Sequence, residues 1–493
     1  MSSLLLGMPL WLGVIFAVSM MLFIAFAKAS TQTLNALTMG MVTVMLAFAL
    51  PYVGIDFRVV LFGDIFAQML VMDSFGHLFV TLFLFGTLLT LAISNRYIVT
   101  HPFFRGEFFT LILFALVGMM LLATSVELIS AYIALEIAAL SVYILIGMHR
   151  SDARSSEAFF KYLVQGSFAG TFFLMGAMLL YLQTGSTHIE EIARYIASHP
   201  SSEMPLVIVG GALLMVTLFF KLGAFWFHTW VLDVYAGSAM PIMMFMAATF
   251  KIAIFALSLR LFIVDFLPLV AYYEEILIVT ALLTMVGGSL LSLRQTSLKR
   301  LLAASSIVHS GYILMALAAM HGAPQESARA IIFYLIAYFL SGVGSLGVLS
   351  LLKAYHHDYD TIDSFRGLGA THPLLAASFT IFLLSLAGFP STIGFLGKFY
   401  LFSATIAAGH YALAGVGLFV AFVSIAYYFR VVAALYFYAP SVPSMRFALT
   451  LTPVVIFVIA LATVWGGIGT ALIEANIGAD GIIDWVTIAL NSL

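Results

Sequence analysis

Long apolar runs separated by short polar joints fill almost the whole chain. The runs cover 5–27, 34–54, 74–94, 107–124, 126–148, 160–182, 205–232, 239–266, 270–293, 301–320, 328–353, 373–408, 411–437 and 447–475. A helix that crosses a bilayer needs roughly 20 apolar residues, so the pattern predicts about fourteen crossings and an all-α polytopic membrane protein. Little chain remains for a soluble domain. Two runs, 205–232 and 373–408, are too long for one straight crossing.

The second of these contains "SLAGFPSTIGFLGKFYLF", with Gly388, Pro390, Gly394 and Gly397 in its middle and Lys398 directly after them. Such a segment predicts two half-helices with a loop at membrane depth, which is tolerated only where it lines a cavity or is buried in protein. In the first, "FFKLGAFWFHTWVLDVYAGSAMPI" places Lys221 and Gly223 before a bulky aromatic stretch, a weaker break signal because no proline lies within the turn. Interrupted hydrophobic segments in corresponding places of two halves point to an inverted repeat with an ion path at the repeat interface.

Composition agrees with the pattern: 63% of the 493 residues are hydrophobic and 9% are charged, against about 25% charged in soluble domains. The net charge of −2 carries no nucleic-acid signature. With no cysteine, the chain cannot ligate an iron–sulfur cluster or form a disulfide. Neither a GxGxxG after a strand nor a GxxxxGK[ST] occurs. Any redox or nucleotide chemistry must come from partners. The first run lacks a basic leader and a clear cleavage site and is read as a retained helix.

Lysines and arginines in the joints set the expected orientation. Twelve of the twenty fall on one side when alternate joints are taken as cytoplasmic, and three (Arg58, Arg194 and Arg329) on the other. Both termini are therefore expected to face outward. Five basic residues lie inside apolar runs: Lys221, Lys251, Arg260, Lys398 and Arg430.

A charge at the bilayer centre costs about 2.5–3.5 kcal/mol on insertion scales, so such residues face a protein interior or water. Arg260 and Arg430 sit toward the ends of their runs and are read as snorkelling to the headgroups. Glu136, Lys251 and His309 stand ten, twelve and eight residues into their runs, near mid-depth and beyond snorkelling range. Lys221 lies past the middle of its long run. The alternatives for Glu136 and Lys221 are a structural ion pair and a switchable one, in which the distance to the carboxylate sets proton occupancy of the amine. His309 reads either as a core histidine hydrogen-bonded to a neighbouring hydroxyl or as a proton relay, and the two mid-depth lysines beside it favour the relay, because histidine titrates nearest neutral pH. Glu127, half a turn out of phase with Glu136, is read as a solvated helix end or a proton exit contact.

In the joints, "RSDARSSEAFFKYLVQGS" predicts a helix start capped by Ser155 or Ser156, with Glu157 and Lys161 paired at i, i+4. "GSTHIEEIARYIASHP" predicts a short amphipathic helix burying Ile189, Ile192, Tyr195 and Ile196. His356 and His357 beside Asp358 and Asp360 lack a second cluster at ligand spacing and are not read as a metal site.

Five stretches in order, "YIALEIAALSVYILIG", "SSEAFFKYLVQGS", "FFKLGAFWFHTWVLDVYAGSAMPIMMFMAATFKIAIFALSLRL", "LKRLLAASSIVHSGYILMAL" and "LLSLAGFPSTIGFLGKFYLF", resemble subunit N of bacterial complex I, the NADH:quinone oxidoreductase. Subunit N is one of that enzyme's antiporter-like membrane subunits. The resemblance runs from about residue 70 to about residue 440. It implies fourteen helices, the seventh and twelfth broken, with two inverted five-helix repeats over 107–266 and 267–437 between flanking segments 1–106 and 438–493. It also implies that Glu136, Lys221, Lys251, His309 and Lys398 form a hydrated proton axis along the membrane arm. No cofactor is expected in this chain; flavin mononucleotide (FMN), iron–sulfur clusters and quinone are implied in partner subunits. The expected partners are the antiporter-like subunit M, the small subunits J, K, A and H, membrane lipid and protons, with no nucleic acid. The expected location is the bacterial inner membrane. Subunit M places a glutamate where this chain has Lys398, and subunit L carries a C-terminal extension absent here. The D subunit of Mrp-type sodium/proton antiporters is the runner-up, and a purely structural spacer is the third reading. One departure is Leu232, where the family commonly has a proline.

Overall fold

A computed structural model describes residues 3–61, 68–355, 360–440, 451–472 and 478–493. Its helices of more than eight residues are α1 (Met8–Phe26), α2 (Thr31–Ala49), α3 (Ser74–Ile93), α4 (Gly106–Thr124), α5 (Leu128–Ile146), α6 (Ala153–Thr184), α7 (Ile189–Ser198), α8 (Pro205–Leu222) and α9 (Thr229–Gly237). The chain continues through α10 (Met240–Ile263), α11 (Val270–Arg294), α12 (Leu298–Ala318), α13 (Pro324–Tyr355), α14 (Pro373–Ala387), α15 (Ile393–Ala407), α16 (Tyr411–Tyr436), α17 (Leu451–Leu472) and α18 (Ala479–Asn491). Among the described residues, twelve helices are long and apolar enough to cross a membrane, and α14, α15 and the Thr452–Ile468 part of α17 are shorter apolar helices. The chain is thus an all-α polytopic membrane protein. Its only described sheet is a two-stranded antiparallel pair, β1 (Arg58–Val60) and β2 (Val71–Asp73), before α3.

Burial divides the helices by role. Windows of α10 and α12 are 100% buried and that of α13 is 94% buried, whereas α1 is 28% buried. Lipid therefore meets the outer helices, which expose side chains such as Phe168 and Phe422. Charges on α10 and α12 must instead find protein partners.

Both over-long runs are broken. Run 205–232 splits into α8 and α9 at Gly223, which adopts φ +67°. Run 373–408 splits into α14 and α15 across 388–392, with Gly388 at φ +85°. The first break needs no proline because side chains serve the freed backbone: Trp230 Nε1 donates to Phe220 O at 3.0 Å, and Phe225 N donates to Thr284 Oγ1 at 2.9 Å. α9 runs helically through Leu232.

Helix α10 carries one π-helical turn, Met246–Phe250, and a second, Leu261–Asp265, overlaps and extends its end. Lys251 comes directly after the first and Arg260 directly before the second. A π turn inserts an extra residue and re-aims the side chains beyond it, and such turns are frequent at functional sites.

Four local expectations fare differently. α7 forms and buries Ile189, Ile192 and Ile196. α6 starts at Ala153 and is capped by Asp152, whose carboxylate accepts from Arg154 N at 3.1 Å, rather than by Ser155 or Ser156. Ser155 instead donates to Ile146 O, an acceptor nine residues away that no local pattern reveals. Glu127 is buried, not solvated: its carboxylate accepts from Ile129 N and Ser130 N and caps α5. His356, His357 and Asp358 lie outside the described residues, and Asp360 pairs with Lys353 at 2.9 Å. Burial pushes the Asp360 carboxyl up, but the hydrogen bond from Lys353 together with the charges of Lys353, Lys299 and Arg154 holds the group below the usual carboxylate range.

Candidate proton-relay site

Three of the four deep basic groups sit at a helix irregularity. Lys221 is in the last turn of α8 before its break, Lys251 comes after a π turn, and Lys398 is in the second turn of α15 after the other break. His309 lies within the unbroken α12. Their exposures are 2%, 5%, 4% and 3% for Lys221, Lys251, Lys398 and His309, so all four face protein. Among the described residues none of the three lysines is in ion-pair contact with a carboxylate. Each amine instead meets a neutral oxygen.

Lys221 Nζ donates to Tyr143 Oη on α5 at 2.8 Å. Glu136, two turns earlier on α5, is half-buried, and its Oε1 is buried without a hydrogen-bond partner. The structural ion pair considered for Glu136 and Lys221 is therefore not formed in this structure.

Helix α12 contacts both Lys251 and the end of α8. Ser306 O accepts from Lys251 Nζ at 2.7 Å, and Ser310 Oγ donates to Leu222 O beside Lys221 at 2.9 Å. Between them His309 engages hydroxyls with both ring nitrogens, Nδ1 with Tyr334 at 2.5 Å and Nε2 with Tyr428 at 3.2 Å. A hydroxyl both donates and accepts, so the imidazole keeps two hydrogen bonds whether neutral or cationic. Lys251 and His309 face one narrow void, lined also by Ser310 and Tyr338, that is too tight here to hold water.

Lys398 Nζ donates to Ala387 O, the last residue of α14, at 2.8 Å and lies 5.0 Å from the Tyr312 ring centroid. A cation at a helix C-terminus complements the free carbonyls and the dipole there. Tyr312 in turn packs edge-on to His309 with centroids 6.2 Å apart. A Cβ on Gly388 would stand 2.7 Å from Lys398 Cδ, at a φ that L side chains rarely adopt. Gly388→Ala is expected to destabilise the protein by about 1–3 kcal/mol and to move the amine off Ala387. The check is thermal stability together with proton pumping; no change in either would mean that Lys398 is not held by that turn.

Tyrosines rather than carboxylates contact three of the five sequence candidates, Lys221, His309 and Lys398, while Lys251 meets a backbone carbonyl and Glu136 Oε1 has no partner. Sequence reasoning missed Tyr143, Tyr312, Tyr334 and Tyr428. Tyr143, seven residues after Glu136, and Tyr312, three residues after His309, had a readable signal, each on the same helical face as its partner; Tyr334 and Tyr428 had none. Arg260 corrects the snorkelling expectation: it is buried, with Nη1 on Asp73 Oδ2 at 2.8 Å, Nη2 on Asp73 Oδ1 at 3.0 Å and Nη2 on Ala123 O at 2.9 Å. Arg430 remains exposed, and its Nη1 donates to Leu293 O at 3.1 Å near the end of α11. Lys299, counted with the polar joints, is buried and donates to the carbonyls of Ala236 and Ser238 at the end of α9.

Two interrupted membrane helices, each with a buried lysine at its break and a buried lysine and histidine between them, are the architecture of antiporter-like membrane proteins. Residues 125–424 match the family described as NADH:quinone oxidoreductase/Mrp antiporter, TM. The NADH-quinone oxidoreductase subunit N of Trichlorobacter lovleyi is 37% identical over 372 residues, 76% of each chain. A chain of respiratory complex I from Thermus thermophilus with bound aureothin superposes with a TM-score of 0.79 at 30% identity, covering 94% of this chain and 98% of its own. A chain of the Mrp complex from Dietzia sp. has a TM-score of 0.85 at 20% identity, covering 100% of this chain and 98% of its own, a likeness of fold alone. The chain belongs to the NADH:quinone oxidoreductase/Mrp antiporter family of membrane proteins, in its subunit N group.

Proposed function

We propose that this chain is a proton-translocating membrane-arm subunit of a respiratory NADH:quinone oxidoreductase, coupling quinone reduction elsewhere in the complex to proton movement through Glu136, Lys221, Lys251, His309 and Lys398. The observation that carries this reading is the line of buried amines without ion-paired carboxylates, Lys221 on a tyrosine hydroxyl and Lys251 and Lys398 on backbone carbonyls, with His309 held by tyrosine hydroxyls between them. A structural spacer has no reason to bear the insertion cost of three such lysines.

In this reading Glu136 and Lys221 are a pair that opens and closes. Lys251 and His309 pass the proton laterally, and Lys398 hands it to the far half-channel or the next subunit. The units are 107–266 and 267–437, related as inverted repeats, between 1–106 and 438–493. The chain holds no redox centre; FMN, iron–sulfur clusters and quinone belong to partner subunits. Its neighbours are subunit M and the small subunits J, K, A and H in the bacterial inner membrane, with both termini periplasmic as the distribution of basic residues implies. The runner-up, a D-type subunit of a sodium/proton antiporter, rests on a shared fold at 20% identity, whereas a subunit N relative shares 37%.

The test is to tag the chain in its host, purify it in mild detergent and record visible and paramagnetic resonance spectra with NADH:quinone activity. Flavin and iron–sulfur signals with that activity are expected. A colourless assembly with sodium-dependent transport would overturn the reading.

A further inference from the structure

The Glu136–Lys221 pair at the first break has a third member. Lys221 Nζ rests on the Tyr143 hydroxyl, 5.2 Å from the ring centroid, while Glu136 Oε1 is buried and unpartnered. Tyr143 and Glu136 are seven residues apart on α5, two turns at about 100° per residue, so both project from one face. Helical side chains lean toward the N-terminus, which carries the Tyr143 hydroxyl back toward Glu136. The facing surface of α6 is shaped to receive both. A Cβ at Gly166 would stand 2.1 Å from Tyr143 Oη, and one at Gly170 would stand 2.9 Å from Glu136 Oε1. A GxxxG pair in a membrane helix ordinarily permits close backbone packing. Here the atoms seated on the two glycines are a hydroxyl and a carboxylate. Tyr162 packs edge-on to the Tyr143 ring, with centroids 4.8 Å apart, and fixes its position.

We infer that Tyr143 is the second station of Lys221: a buried hydroxyl that holds the amine when it is parted from Glu136, giving the pair two defined states. The inference rests on the relay reading of Glu136 and Lys221. A hydroxyl suits the task because it accepts from an ammonium and donates to a neutral amine, so the contact survives either protonation state. With only Glu136 to bind, Lys221 has one stable position and the pair does not open. Tyr143 is a positioning residue, and its hydroxyl, not its bulk, is what matters.

The experiment uses the intact complex in proteoliposomes, reading protons pumped against electrons transferred. Tyr143→Phe removes one hydrogen bond to a charged group and is expected to shift the open-to-closed balance by about 10- to 100-fold, with pumping lost and ionophore-released electron transfer kept. Tyr143→Leu with Gly166→Ser returns a hydroxyl to the vacated space and is expected to restore pumping. Tyr143→Leu with Gly166→Ala fills the space without a hydroxyl and is expected not to. Equal recovery by both double variants would overturn the inference, and this comparison stands even where Tyr143→Phe assembles poorly. Normal pumping in Tyr143→Phe alongside failure in Glu136→Gln would also overturn it, leaving the relay reading intact. Normal pumping in both Glu136→Gln and Lys221→Ala would remove the relay reading itself.

Discussion

Replacing Lys251 by alanine is expected to cut proton pumping by about 100-fold or more while the complex still assembles, since a positioned proton-transfer group contributes about 10²–10⁴-fold. Its amine is buried, and its hydrogen-bond partner is the carbonyl of Ser306, one turn from His309 on α12. No other ionisable side chain apart from Tyr338 lines the void between Lys251 and His309. Assembly survives because two costs oppose each other. A large-to-alanine change in a core costs about 2–5 kcal/mol, and removing a charged group from mid-membrane returns about 2.5–3.5 kcal/mol. Lys251→Met keeps the volume and is expected to pump as poorly while matching wild-type stability. Lys221→Ala belongs to the same class. Unchanged pumping at unchanged electron transfer would take either residue out of the path.

The second large effect is structural. Asp73→Ala leaves the Arg260 guanidinium buried without its carboxylate, and breaking a buried pair from one side costs about 3–5 kcal/mol. The same carboxylate caps α3 by accepting from Gly76 N at 2.6 Å, so its loss also frees a helix end. Asp73→Ala combined with Arg260→Met is expected to be less harmful than Asp73→Ala alone, because both charges leave together. Thermal unfolding of the purified complex across the four combinations gives the coupling. Additive effects would mean that the pair does not join α3 to α10.

These two predictions also mark what the amino-acid order makes readable. The glycines and Pro390 in run 373–408 announce its break, and Lys221 stands out because apolar sequence surrounds it. The break at Gly223 is harder to read, since its backbone is served by Trp230 and by Thr284, a side chain on another helix. Asp73 and Arg260 are 187 residues apart, and a charge near a run's end looks the same whether it snorkels or meets a distant carboxylate. The tyrosines hydrogen-bonded to His309 come from α13 and α16, so periodicity within α12 carries no trace of them; Tyr312, three residues after His309 on α12 itself, was readable. So was Tyr143: it shares a helix and a face with Glu136, and the seven-residue spacing was there to be read.

The tight void between Lys251 and His309 bears on energy conservation. An energised membrane stores about 2.3 kcal/mol per elementary charge for each 100 mV. Were the belt of groups wet at all times, that stored energy would drain back as heat through the same amines that built it. In the proposed relay a gap with no room for water acts as a circuit breaker at rest, and the expected result is that pumping requires this gap to widen.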